Sequence, residues 1–146
     1  FSLREEMEVT ADLAAPSEIT GYLLEPSPAL LKSGAFKLPA VRFGLRKISA
    51  STHFYTAPAP VGHFPGKIRH IIDVLPFHKA AIRDFRKKYP ACSVTARNFP
   101  LTSDELRRRL GTSESDTFRV LGTTAADGSR VMIVSVPWNN FCTFAG

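Results

Sequence analysis

The chain has 146 residues, enough for one domain, or one domain with a remnant of a neighbour, and enough to bury a real core. With 44% apolar and 22% charged residues the composition is ordinary for a folded domain, and no stretch approaches the roughly 18 consecutive apolar residues of a bilayer span, so disorder and membrane insertion are both disfavoured. The net charge of +6 is unevenly spread: residues 1–25 carry −5 (Arg4 against six acids) and residues 26–146 carry +11, a block that draws polyanions by long-range attraction and counterion release.

The chain opens on FSLREEMEV, which begins with Phe1 and lacks the basic and apolar regions of a signal peptide, so it reads as a piece of a longer chain. Residues 1–20 start with a few strand-like residues, turn acidic and small, and end at Pro16-Ser17; we read them as the end of a preceding domain plus a linker. The organised part, 21–146, begins at Gly21. Tyr22 to Glu25 is a short strand halted by Pro26, and Ser27-Pro28 is a helix entry, with Ser as N-cap and Pro at the first helical position. That helix is short and stops at Gly34. A second is expected from about Phe36 to Phe43, with Pro39 in its first turn and Gly44 as its C-terminal stop. Lys37, Arg42, Arg46 and Lys47 are expected to decorate this helix and its exit.

His53 to Thr56 is a strand, and APAPVGHFPG after it is a surface loop by its prolines and glycines. Lys67 to Val74 is a β-branched strand, followed by a helix from about His78 to Tyr89 with Ile82, Phe85 and Tyr89 inward and Lys79, Arg83, Arg86, Lys87 and Lys88 largely off that stripe. Cys92 to Arg97 is the next strand. Thr102 and Glu105 form a capping box for a helix that runs to Leu110, with Arg107, Arg108 and Arg109 in its last turn. TFRVLGTT and RVMIVSV flank Asp127-Gly128, a hairpin signal. The tail WNNFCTFAG has no pattern. The sum is an α+β domain, a mixed sheet with helices mainly on one face.

The chain carries no constellation for catalysis. GxGxxG, GxxxxGK[ST] and GxSxG are absent, and His53, His63, His70 and His78 show neither HExxH nor paired spacing, so no cofactor or metal site is expected. Asn98-Phe99-Pro100 only superficially matches an Asn-Pro-Pro-aromatic loop. Cys92 and Cys142 are too few for a disulfide scaffold and give no ligand pair, which points to a reduced, cytoplasmic protein, with Cys92 a small core residue.

Basic residues interleaved with aromatics are what is left. Lys37, Arg42, Arg46 and Lys47 lie near Phe36 and Phe43, Lys67 and Arg69 follow His63-Phe64, Arg97 precedes Phe99, and Arg107 and Arg108 open the triple arginine. Arginines fix phosphates by bidentate hydrogen bonds, so these nine are the candidate nucleic-acid contacts, and most of them are expected on one connected surface.

GYLLEPSPALLKSGAFK, RFGLRKI, HFYT, DVLPF, ARNFP, TSDELRRRL and LGTTAADGSRVMIV, in that order over about residues 21–136, give the chain a resemblance to a known family. It resembles the THUMP-like domain at the C-terminus of bacterial class I S-adenosylmethionine (SAM)-dependent methyltransferases of the Bacteroidetes type. FSLREEMEV is similar to the last strand of the small ferredoxin-like domain that precedes it in those proteins. The resemblance implies a non-catalytic domain that binds and presents RNA, tRNA or rRNA, to an upstream methyltransferase domain of the same chain, which holds the SAM. It supplies no residue-level contact motif. The alternative is a structural or docking module, which would show scattered bases and an exposed apolar patch around the proline-rich loop or Trp138 and Phe141.

Overall fold

The computed structural model describes residue 6 and residues 11–49, 52–59 and 61–138. Its strands are β1 (Tyr22–Pro26), β2 (Arg46–Ser49), β3 (Thr52–Ala57), β4 (Gly66–Pro76), β5 (Ser93–Ala96), β6 (Arg119–Thr124) and β7 (Arg130–Pro137). They form one sheet in the order β2-β3-β1-β4-β7-β6-β5, antiparallel throughout except for the parallel pair β5 and β6. The helices are α1 (Pro28–Lys32), α2 (Leu38–Phe43), α3 (Lys79–Lys88) and α4 (Ser103–Leu110). This is the expected α+β class, ending in a hairpin.

Local chemistry accounts for the boundaries. Ser27 Oγ accepts from Leu30 N at 3.2 Å to open α1, and Gly44 closes α2 at φ 66°, a left-handed conformation that glycine adopts without a Cβ penalty. His78 Nδ1 accepts from Ala81 N at 3.2 Å at the start of α3. The capping box of α4 is complete, Thr102 Oγ1 accepting from Glu105 N at 3.2 Å and Glu105 Oε1 from Thr102 N at 3.0 Å. In the β6–β7 turn Asp127 Oδ1 accepts from Ser129 N at 2.9 Å.

One element departs from the sequence reading. Arg46 and Lys47 do not trail α2; they belong to β2, which pairs with β3 through an irregular register between Lys47 and Ser49.

The helices α1 to α4 pack on one face of the sheet. Leu30, Leu38 and Ala40 from α1 and α2 meet Leu24 and Tyr55, while Phe85, Leu106 and Leu110 from α3 and α4 meet Val94, Val120, Met132 and Val134. On the opposite face Leu23, Ile48, Phe54, Ile71, Leu121 and Ile133 form a second core, stoppered at one end by Ala14 and Ile19.

That opposite face is curled inward. Three strands separate β3 from β6, which in a flat sheet means about 19 Å at the usual strand spacing. Yet Thr52 Oγ1 on β3 lies 2.9 Å from Thr123 Oγ1 on β6, and Asn98 Nδ2, just past β5, donates to Thr52 Oγ1 at 3.2 Å. The sheet therefore closes towards a half-barrel, with a threonine seam where its two flanks meet.

Candidate nucleic-acid interface

Alternation along the strands decides which polar residues reach the open end of the curled face. Arg69 stands opposite Leu23, Lys67 opposite Glu25, and Arg119 opposite Ser135, so all of these share the inner face with the apolar core but lie towards its mouth. Arg119 Nη1 donates to Glu25 Oε2 at 2.8 Å in a partly buried ion pair. Arg69 is only 8% exposed and is fixed by Ser135, its Nε donating to Ser135 Oγ at 2.8 Å and its Nη2 to Ser135 O at 3.0 Å. Burial, followed by the nearby Arg119 charge, lowers its guanidinium pKa, and Glu25 opposes that shift. At the rim Lys67 and Arg97, thirty positions apart in the chain, line one groove of about 330 Å³ with Glu25, Pro26, Pro28 and Leu31.

A second basic surface lies on the helices. α3 and α4 pack side by side, with the Arg86 guanidinium close against Gly111 and the Arg109 guanidinium 6.0 Å from the Phe77 ring centre. Arg83, Arg86, Lys87, Arg108 and Arg109 are exposed on the two helices. Only Arg108 of these five was among the nine candidates, although the stripe of Ile82, Phe85 and Tyr89 already turned the α3 bases outward.

The remaining candidates divide by environment. Lys47 is buried, 3% exposed, beneath Phe36, with its Nζ 6.0 Å from that ring centre and 3.5 Å from His53 Nδ1. Its pKa is lowered by burial first, with Glu6 opposing and Lys37 adding to the shift. Lys47 and Arg69 are thus corrected: inward-facing strand positions, they are enclosed and do not offer an open surface to a phosphate chain. Arg107 is half-buried and held by Asp104 at 2.9 Å and Glu114 at 3.6 Å, so its charge is met within the protein.

Lys37, Arg42 and Arg46 cluster around α2 and β2. The Lys37 backbone N–H donates to both Glu6 carboxylate oxygens at 2.8 and 2.9 Å, anchoring the start of α2, and Arg46 is ion-paired with Glu18. Arg42 is exposed on α2. The nine candidates therefore do not form one surface; Lys67 and Arg97 are brought together, and Arg108 joins the helical face.

Cys92 is a free, buried thiol, its Sγ 3.4 Å from Thr112 Oγ1 and its pKa raised by burial, in keeping with a core residue. Cys142 and Phe141 lie outside the described residues, as does FSLREEMEV apart from Glu6. Among the described residues no helix is long and apolar enough to cross a membrane.

Comparison with known proteins gives these surfaces a context. Residues 22–65 match a ferredoxin-like domain family and residues 66–136 a THUMP domain-like family. Our sequence reading placed the ferredoxin-like remnant within 1–20 and one THUMP-like unit over 21–146; the two matches instead meet at residues 65 and 66. No curated protein matches the chain. A crystal structure titled as a putative methyltransferase from Porphyromonas gingivalis W83 is similar over 95% of this chain, with a TM-score of 0.89 and 36% sequence identity. This chain spans 34% of the length of that protein. The part of the sheet formed by residues 66–136, with α3 and α4, is thus similar to a THUMP-like domain, and it is continuous with a segment similar to a ferredoxin-like domain.

Proposed function

We propose that this chain is a non-catalytic RNA-binding part of a longer, cytoplasmic SAM-dependent methyltransferase, holding tRNA or rRNA by its phosphates while an upstream domain of the class I type carries SAM and the chemistry. The observation that carries this reading is the α3–α4 face, where Arg83, Arg86, Lys87, Arg108 and Arg109 lie exposed on two adjoining helices. Such a surface suits a folded RNA, whose phosphates are read by shape and charge. The similarity to a methyltransferase of about three times this length supports the role of an appended domain.

The docking alternative calls for a contiguous apolar patch. Leu13, Leu31, Val41 and Ile72, the large apolar side chains exposed among the described residues, come from four separate segments.

The test is fluorescence anisotropy of labelled tRNA and a matched DNA duplex at about 50 mM salt, with the wild-type chain and R83E/K87E. We expect micromolar binding that prefers tRNA, weakened at least about tenfold by the double charge reversal with an unchanged unfolding midpoint. No binding, or equal affinity of variant and wild type, would refute the reading.

A further inference from the structure

The groove at the mouth of the curled face holds more positive charge than its described lining balances. Lys67 and Arg97 line it with Glu25, the one carboxylate among its described lining residues, and Glu25 is already engaged by Arg119 at 2.8 Å. Arg69, 8% exposed and on the same face, is held by its two bonds to Ser135 and also draws on the Glu25 charge. With the Glu25 charge shared between Arg119 and Arg69, an anion arriving at Lys67 and Arg97 meets positive charge that this carboxylate does not neutralise. Arg97 uses one guanidinium nitrogen on its own neighbour's carbonyl, Ala96 O at 3.1 Å, and has no ion pair among the described residues.

The groove also has an apolar side. Pro26, Pro28 and Leu31 form part of its wall, and Leu31 is 40% exposed. At about 330 Å³ it falls within the range of small-ligand sites. A cationic rim beside a flat apolar wall fits a molecule with a phosphate at one end and a planar ring at the other. The excess of positive charge favours a phosphate monoester, which carries about −1.5 to −2 near pH 7, over a phosphodiester with a single charge.

We propose that the groove between the ends of β1, β4 and β5 binds a nucleoside that bears a terminal phosphate monoester, with the phosphate on Lys67 and Arg97 and the ring against Pro28 and Leu31. This site uses none of the α3–α4 residues, so it stands or falls separately from the polyanion surface. Its ligand is either a free mononucleotide or the phosphorylated end of a nucleic acid.

The experiment is calorimetric titration of the chain with AMP, adenosine, and an RNA tetranucleotide with either a 5′-phosphate or a 5′-hydroxyl. AMP should bind at least about tenfold more tightly than adenosine, and K67A/R97A should weaken AMP binding at least about tenfold, as the loss of charge-assisted bonds predicts. R83E/K87E should leave AMP binding unchanged while weakening tRNA binding. K67Q/R97Q, which keeps part of each side chain and a polar end without the charge, serves as the second variant should the truncation fail to fold. A 5′-phosphorylated tetranucleotide that binds more tightly than AMP identifies a nucleic-acid end as the ligand, and equal affinities identify the mononucleotide; both uphold the site. Equal affinity for AMP and adenosine, or undiminished AMP binding by both groove variants, overturns it.

Discussion

The curl of the sheet rests on the seam between β3 and β6, and Thr52→Val tests it. Valine has the shape of threonine without the hydroxyl. Thr52 is 1% exposed and Thr123 is fully buried. Thr52 Oγ1 accepts from Ser49 Oγ at 3.0 Å and from Asn98 Nδ2 at 3.2 Å, lies 2.9 Å from Thr123 Oγ1, and is within donating distance of Thr124 O at 3.3 Å, so its donor and acceptor sites are all engaged. In the variant Asn98, which is exposed, can turn to water, and Ser49 Oγ still accepts from the backbone N–H of residue 52. The Ser49 proton and the Thr123 hydroxyl are left stranded. At about 1–3 kcal/mol for each of the two stranded buried groups we expect a loss of about 2–6 kcal/mol, lowering Tm by about 5–20 °C. Replacing both partners leaves fewer orphans, so the double variant T52V/T123V should cost at least about 1 kcal/mol less than the two single costs combined. Chemical denaturation of the four proteins gives these values. A Thr52→Val cost within about 0.5 kcal/mol, or a cycle that is additive within about 0.5 kcal/mol, would mean that β3 and β6 do not meet.

Three further outcomes follow from geometry described above. If Arg83, Arg86, Lys87, Arg108 and Arg109 all meet phosphates, log K for tRNA should fall with log salt at a slope of about −4, and R83A/K87A should reduce its magnitude by about 1.5; an unchanged slope places the RNA elsewhere. His53, stacked on Phe36 with ring centres 3.7 Å apart, has its pKa lowered by burial and then by Lys47, with Glu6 opposing. The unfolded state therefore binds more protons below about pH 6.5, so stability is full above that pH and is lost as pH falls towards the folded pKa. Melting curves between about pH 5 and 7 should show this slope in the wild type and lack it in His53→Phe, and equal slopes would assign it to another group. In Gly66→Ala the new Cβ would meet the Glu25 backbone oxygen, and the β1–β4 pairing must open, a cost of more than about 3 kcal/mol. Gly62→Ala, with nothing within 4 Å, is the neutral control, and similar denaturation midpoints for the two would contradict the close approach.

What could be read from the sequence were features in which a few neighbouring residues suffice. Ser27-Pro28, the Thr102/Glu105 box, Gly44 and Asp127-Gly128 each satisfy or redirect the backbone locally, and each stands where expected. β2 escaped notice because it has only four residues, two of them basic, and an irregular register against β3. Lys47 looked like a surface base for the same reason, since its burial depends on Phe36, His53 and Glu6 arriving from other segments. The groove shows the same limit. Lys67 and Arg97 were legible as bases, but their meeting is set by the curl of the sheet, and Arg119 and Glu25 enter the site through that same long-range closure.

β4 has a consequence for how such proteins can be taken apart. Its eleven residues begin at Gly66, where the ferredoxin-like match ends and the THUMP-like match begins, and it is hydrogen-bonded to β1 on one side and β7 on the other. A family boundary therefore runs along a strand edge in the middle of a continuous sheet. Proteolysis between residues 65 and 66 could not release two independent bodies: the first fragment would expose the unpaired edge of β1 and invite strand exchange between molecules. For the same reason the segments cannot swivel about that junction as domains on a flexible tether do. The spacing between Lys67 at one end of β4 and α3 just beyond the other is set by a rigid ladder, a fixed ruler along which a bound polymer would have to be measured.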